Sequence, residues 1–513
     1  MQAQKLTNRR EFIRLTALGA AGAAILAACA PAAPPAATPV PQPAEAAKPA
    51  ATTAPSAAPT PTAAAAAKPT EAPKPTTAPT VAAKPAAAKE PFKLIYNTWW
   101  PQMADVLKPM IPTFQAKFPN VTVEEQVLPY MEWIQKYEAT MVAGTAPDTF
   151  CGNLFISPKF YKPDLHMEFT DRLKADNIDL KKDYFITATE IWCNKIYGLP
   201  FDLDSNAVFY NKTMIKKEYG KDLWDDMGGK WTINDWRDIM IACTKDTKGK
   251  GKPDQWGAAG HMPNHENWNQ SMSFTNGGTI FDYDNMKYTW TSDIATETFK
   301  WGYDLWKEKK VYVPPEESKA LSSAGVSSPF AAGMVATYYR AVADLPFFVR
   351  EIGDKFEWDC IFLPGKTKEK PGVGLVAGNP NLVYAKTKHP DEAYEWVKFL
   401  CGDEVQTYFA KEGICVPTLK KAVPQFKQFP KVKHAYIFAE VPQNDYHIHI
   451  LHFASIENRN LTGAKMDEIF TGGADWKSTI KAMNDELNAK VQYGDCMPFQ
   501  GMKMPIAGGK VVQ

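Results

Sequence analysis

The sequence predicts an α/β fold divided into two lobes. Strand and helix patterns alternate between Phe92 and Phe150, a second strand-and-helix series begins at Asn206, and 513 residues exceed what one hydrophobic core usually serves.

The N-terminal region carries none of that pattern. Thr7 to Arg14, with Arg9 and Arg10 adjacent, precedes an apolar run from Leu15 to Ala28, as in a charged leader followed by a hydrophobic core. Residues 1–29 therefore read as a signal peptide. Arg9-Arg10 followed by Phe12 resembles a twin-arginine export signal; an ordinary secretory signal with two arginines is the rival. Leu26-Ala27-Ala28-Cys29 looks like a bacterial lipobox, in which Cys29 is the lipidation site. Each buried CH₂ of an acyl chain contributes about 0.8 kcal/mol, so such chains would hold the protein on the outer face of the cytoplasmic membrane. Residues 30–90 are nearly all Ala, Pro, Thr and Lys, which cannot build a core. They read as a disordered tether with a reach on the order of 190 Å at most.

The globular part then opens. Phe92 to Tyr96 is a strand candidate, Met103 to Phe118 a helix, and Val121 to Val123 a second strand. Met131, Ile134, Tyr137 and Met141 recur at helical spacing, Gly144 suits the C-cap, and Asp148 to Phe150 starts a third strand. This order calls for a parallel sheet, whose ligands bind beyond the carboxyl ends of the strands. Those ends are Asn97 to Trp100 and Cys151 to Asn153, so Trp99, Trp100 and Asn153 become candidate ligand residues. Asn206 to Asn211 reads as a strand leading into a helix at Lys212 to Tyr219. Thr232 or Asn234 caps the next helix. Pro390-Asp391-Glu392 opens a helix with Ala393, Trp396, Val397 and Leu400 on one face.

Composition narrows the function classes. Lys+Arg 58 against Asp+Glu 57 leaves a net charge of +1, which offers nucleic acid no basic surface. Trp 15, Tyr 20 and Phe 27 suit a cleft with flat apolar faces. The eight cysteines show no zinc spacing. With Cys29 acylated an odd number remains; isolated buried thiols are the main expectation, and Cys401 with Cys415 is the candidate bridge.

A run of motifs then carries a resemblance. Ala143 to Asp148, Tyr197 to Pro200, Phe209 to Lys212, Thr275 to Gly278, Phe330 to Ala336, Phe362 to Gly365 and His389 to Trp396 succeed one another in this chain. Their order resembles the carbohydrate-type extracellular solute-binding proteins of ABC importers, the group that includes maltose-binding protein. The resemblance covers almost everything from Phe92 to Val491. It implies a periplasmic-binding-protein-like type II fold: two α/β lobes, joined by crossover strands near Asp204 to Phe209, closing on a ligand held in the cleft. The expected division is 91–205 with 361–405 for one lobe and 206–360 with 406–513 for the other. It also implies a monomer that hands a small solute to permease subunits, with no cofactor and no bond broken.

Sugars need planar polar groups at their edges and aromatic rings on their faces. By resemblance, Asp204 matches an acidic sugar-binding position, and Asp202 flanks the same crossover; capping of the turn is the rival reading. Trp268, Asn276 and Gly277 fall where second-lobe contacts lie, and Gly378 and Asn379 complete the candidate set. Where the family usually offers a Gly-x-Trp platform, this chain has Thr337-Tyr338-Tyr339-Arg340-Ala341. A sugar could stack on Tyr339, whereas Arg340 suits a carboxylate or phosphate and keeps an anionic solute as the alternative. His447 and His449, at alternate positions, read as cleft-lining hydrogen-bonding groups, with plain surface placement as the rival, rather than as metal ligands. An exported hydrolase is the rival class, although no G-x-S-x-G, H-E-x-x-H or P-loop occurs; a purely adhesive surface protein is the other.

Overall fold

The computed structural model describes residues 90–186, 190–323 and 326–493. The signal segment, Cys29 and the Ala/Pro-rich stretch lie outside the described residues.

The first sheet is built on three parallel strands, β1 (Phe92–Thr98), β2 (Val121–Val127) and β3 (Thr149–Cys151). Strands β4 (Gly198–Pro200) and, much later in the chain, β10 (Pro380–Val383) complete it in the order β2-β1-β3-β10-β4, with β10 antiparallel to both neighbours. Helix Tyr130–Ala143 buries Trp133, Ile134, Tyr137 and Met141 and stops at Gly144, whose φ of 71° is left-handed. The helix expected over Met103 to Phe118 is instead two, Pro101–Leu107 and Ile111–Lys117. Pro109 lies between them. It has no N–H for the preceding turn, and its ring crowds the carbonyl four residues back. Helix Pro390–Leu400 starts on its proline with Asp391 and Glu392 in the first turn and buries Trp396, Val397 and Leu400.

The second sheet centres on β5 (Asp204–Asn211), buried along almost its whole length. One edge of β5 pairs antiparallel with β7 (Val335–Ala341), which in turn runs parallel to β6 (Trp256–Gly260). Its other edge is shared by β8 (Trp358–Ile361) and β9 (Gly374–Ala377); β9 carries the short β11 (Tyr446–His447). Thr232 caps helix Ile233–Cys243 in a reciprocal capping box with Asp235.

These pairings move two expected lobe boundaries. Re-entry into the first lobe was expected at 361, but β8 and β9 fill the open edge of β5, so it comes at β10. Helix Asp403–Glu412 and the strand-like stretch after it also stay with the first lobe. Gln406 Nε2 donates to the Phe201 carbonyl at 2.8 Å, and Leu203 bridges to Val416. The third crossing falls between Lys420, which donates to the Lys181 carbonyl, and Lys431, which pairs with Asp354. Helices Ser455–Phe470 and Trp476–Lys490 then pack on the second lobe, where Asn484 and Asn488 accept from the backbone N–H groups of Trp290 and Tyr288.

The candidate bridge between Cys401 and Cys415 is not formed. Both are buried free thiols, as are Cys151, Cys243 and Cys360, whereas Cys193 is disulfide-bonded. Burial pushes the thiols of Cys401 and Cys415 well above their ordinary pKa, which keeps them protonated and inert.

Candidate ligand-binding groove between the lobes

Several of the groove residues come after the carboxyl end of a strand, where backbone pairing stops and side chains become free to face a ligand. In the first lobe, β1 delivers Trp99 and Trp100, stacked at 5.9 Å with planes 12° apart. Tyr130, three residues beyond β2, sets its ring edge-on to Trp99 at 5.2 Å. Trp99 Nε1 donates to the Gly152 carbonyl at 3.4 Å, which ties the indole to the loop after β3. In that loop Asn153 Nδ2 donates to Tyr130 Oη at 3.3 Å, and Asn153 Oδ1 accepts from Phe155 N–H at 3.0 Å. Asn153 thus positions two aromatic rings. The wall these residues make is aromatic.

The second lobe supplies the polar wall. β6 ends at Gly260, whose φ is +90° and where a Cβ would lie 2.5 Å from the Tyr339 carbonyl oxygen, so only glycine lets the chain turn here. The turn delivers His261 and His265, with rings 4.7 Å apart. His261 Nε2 lies 3.1 Å from Asn206 Oδ1, and because Asn206 Nδ2 donates to backbone carbonyls, the imidazole is the donor. His265 caps helix Glu266–Asn276, its Nδ1 accepting from Asn267 N–H at 3.2 Å, so in the neutral ring Nε2 carries the proton. Burial holds His261 well below the usual imidazole pKa, helped by His265, Arg340, Arg459 and His449. Burial, then Arg459 and Arg340, brings His265 down to about 3. Both are neutral donors at physiological pH.

The penultimate residue of β7 is Arg340, whose Nε donates to Asp344 Oδ2 at 3.1 Å while the side chain remains 40% exposed. Asp204, at the start of β5, lies close enough to feel Arg340; burial and Asp202 raise its carboxyl to about 7, against the pull of Arg340. After β11 comes His449, edge-on to Phe155 at 4.7 Å, and Arg459 sits over the same Phe155 ring at 4.5 Å. Three polar atoms here are buried without a partner: Asp204 Oδ1, Glu266 Oε2 and Arg459 Nη1.

Ring contacts, hydrogen bonds and charge interactions thus link Trp99, Trp100, Asn153, Asp204, Arg340 and His449 into one neighbourhood. Other sequence candidates have different employment. Asp202 is buried and accepts from both the backbone N–H (3.0 Å) and Nδ2 (3.1 Å) of Asn379, a clasp between the two antiparallel crossover segments; Gly378 is buried beside it. Asn276 and Gly277 end a helix, Asn276 Nδ2 donating to Thr298 at 3.0 Å and Gly277 taking φ 96°. Trp268 is fully buried against Trp301 in the second-lobe core and offers no face to the groove.

The stacking platform expected at Tyr339 is also a core residue. Leu375 N–H donates to Tyr339 Oη, which is paired with Ser271 Oγ at 2.8 Å; Ser271 meets His447 Nε2 at 2.7 Å, and His447 Nδ1 reaches the Ile448 carbonyl. That chain has one consistent direction from Leu375 to Ile448 and uses every donor. His447 is therefore occupied, and only His449 of the alternating pair faces the groove.

Sequence reasoning missed Tyr130, Phe155, His261, His265, Glu266, Asp344 and Arg459. The rule that found Trp99 would have found His261 and His265, had β6 been recognised. Among the described residues, no group of three or more His, Cys, Asp or Glu is placed to hold a metal, and no helix is long and apolar enough to cross a membrane.

Two α/β lobes joined by three crossings, with polar and aromatic side chains converging from strand ends on both sides, define a two-lobed solute receptor. The chain belongs to the bacterial extracellular solute-binding proteins, whose family model matches residues 100–407. It is 22% identical over 365 residues to the multiple sugar-binding protein of Streptococcus mutans, covering 64% of this chain and 75% of that one. Its fold is similar to an ABC substrate-binding protein of Listeria monocytogenes in complex with cycloalternan (TM-score 0.67, 17% identity, 78% of this chain and 99% of that one). The GacH receptor of Streptomyces glaucescens, solved unliganded and with acarbose, is also similar (TM-score 0.64, 16% identity, 79% and 100%). So is the maltose/maltodextrin-binding domain of Bdellovibrio bacteriovorus bound to maltotriose (TM-score 0.61, 16% identity, 78% and 99%).

Proposed function

We propose that the protein is the carbohydrate-capturing component of an ABC importer, exported, anchored through acylated Cys29 to the outer face of the cytoplasmic membrane, and acting as a monomer that presents its ligand to permease subunits. The observation that carries this reading is the division of the groove: stacked Trp99 and Trp100 with Tyr130 on one side, neutral imidazoles, a guanidinium and open carboxyl oxygens on the other. A pyranose has apolar C–H faces and a rim of hydroxyls, and such a groove offers rings to the first and paired donors and acceptors to the second. Sugars are what the named relatives bind. The reading makes the protein a binder with no chemistry of its own, and the ligand stabilises the closed arrangement of the lobes.

The test is a thermal-denaturation screen against mono- and oligosaccharides, with the recovered ligand analysed by NMR. Ligand at 100 times its Kd adds about 2.7 kcal/mol of stability. A stabilising sugar recovered unchanged supports the reading. Conversion of the sugar moves the protein to the hydrolases, and silence across the panel removes the carbohydrate assignment.

A further inference from the structure

We propose that the ligand is an acidic saccharide, and that its carboxylate is seated on Arg459 rather than on Arg340. This rests on the carbohydrate reading above and names the class of sugar within it. Two guanidiniums reach the groove, but their situations differ. Arg340 has its counter-charge in place, Asp344 at 3.1 Å. Arg459 has none: among the described residues no carboxylate lies within ion-pair distance of it, and its Nη1 is buried without an acceptor.

The surroundings do not make up that deficit. Glu266 is only 7% exposed and feels Arg459, yet its Oε2 is unpartnered and its other contact is Thr462. The Phe155 ring covers one face of the guanidinium at 4.5 Å. Stacking of that kind leaves the planar N–H edge free, the edge that takes a carboxylate bidentately. The position is also fixed from below. Asn458, the preceding residue on helix Ser455–Phe470, donates to the Leu487 carbonyl at 3.2 Å and locks the helix against its neighbour. A buried charge-bearing donor left open is costly. A neutral hydroxyl satisfies the hydrogen bond but not the charge; a carboxylate satisfies both.

Phosphate fits less well. A dianion asks for more positive charge than one uncompensated guanidinium, and the carboxyls of Asp204, Asp344 and Glu266 already lie within reach of Arg340 or Arg459. A hexuronate, in which the C6 hydroxymethyl of a neutral sugar is a carboxylate, presents one negative charge on a ring that still stacks on Trp99 and Trp100.

The experiment is calorimetric titration of the full-length chain with neutral disaccharides and their C6-oxidised counterparts, plus glycerol phosphate, at low and high salt. The uronate member should bind roughly 10- to 100-fold tighter than its neutral partner, with the preference shrinking at high salt. Arg459→Gln should remove most of that preference, and Arg459→Lys, which keeps the charge without the fork, should retain part of it. Equal affinity for both members overturns the proposal while leaving the carbohydrate reading intact. Tightest binding of glycerol phosphate, or no saccharide bound at all, overturns both. Equal weakening of acid and neutral members by Arg459→Gln also overturns it, since Arg459 would then be a clamp between lobes; the wild-type comparison decides even where a variant does not fold.

Discussion

The two walls of the groove are built on one positional rule and come out chemically opposite. In the first lobe the residues beyond β1, β2 and β3 are rings held by neutral hydrogen bonds, Trp99 to the Gly152 carbonyl and Asn153 to Tyr130. In the second lobe the residues beyond β6 are imidazoles and the C-terminal end of β7 carries a guanidinium, backed by the buried Tyr339-Ser271-His447 chain. Strand ends decide where a ligand is met, and they leave open how it is gripped. On the proposed reading the aromatic wall would hold a pyranose by its faces, and selection among sugars would fall to the wall that counts donors, acceptors and charge.

The largest effect expected on this contrast concerns a ring that the second lobe does not lend to the groove. Trp268→Ala opens a cavity beneath Gly302 and Trp301 and should cost about 3–5 kcal/mol of stability, read by urea denaturation. Molecules that stay folded should bind as wild type does. A lost affinity without a matching loss of stability would put Trp268 back among the ligand contacts and break the contrast. Next in size is the aromatic wall itself. Joint replacement Trp99→Ala and Trp100→Ala should weaken every bound saccharide by about 2–4 kcal/mol, as truncation of central aromatic anchors does. His265→Ala, removing one neutral donor, should cost about 1 kcal/mol and change the ranking among sugars more than their common affinity.

Much of the first wall was legible in the sequence because Phe92–Thr98 and the helix after Pro129 announce themselves by local pattern, and the residues just beyond a recognised strand are placed by rule. The second wall was not. β6 reads Trp-Gly-Ala-Ala-Gly, without a β-branched residue, so nothing marked His261 and His265 as coming after a strand. Tyr339 and Trp268 looked like platforms because aromatic residues suit both a core and a cleft; only the hydrogen bonds from Leu375 and to Ser271 show which. Arg459 lies inside helix Ser455–Phe470 with no local signature, and its meeting with Phe155 is purely tertiary. Lobe boundaries failed for the same reason, since the pairing of β8 and β9 with β5 joins segments more than a hundred residues apart.

Buried histidines and the carboxyls at the crossover should pull the pH profile of stability in opposite directions. Burial lowers His447 and His166, the latter buried in the first lobe against Tyr137 Oη and the Phe160 carbonyl, to about 4, so each binds a proton in the unfolded chain, near its ordinary value of about 6.5, before it does in the folded one. Their contribution to stability is present above about 6.5 and lost as pH falls through about 4, at about 1.4 kcal/mol per pH unit for each group. Asp202, raised by burial to about 6, and Asp204, raised by burial and Asp202 to about 7, have the opposite sign. Their contribution is fully present below the unfolded carboxylate value and lost as pH rises through about 6 and 7. Denaturant unfolding across pH 4–7.5 should therefore show a flatter acid limb for His447→Gln than for wild type, and a steeper one for Asp202→Asn. Parallel limbs for all three would mean that these groups do not govern the profile.

The smallest expected effect separates the crossover clasp from the groove. Asp202 Oδ1 takes both Asn379 donors, at 3.0 and 3.1 Å, and an asparagine at 202 keeps one such oxygen. Asp202→Asn should change stability near pH 4, where the wild-type carboxyl is itself protonated, by less than about 1 kcal/mol, whereas Asp202→Ala leaves two buried donors open and should cost about 1–3 kcal/mol. Neither change removes an atom from the groove walls, so calorimetric affinity for a saccharide should move by no more than about twofold in Asp202→Asn. A tenfold loss there, with stability intact, would assign Asp202 to the ligand. The polar wall would then extend along the crossover to meet the aromatic one, and the division of labour between the lobes would no longer hold.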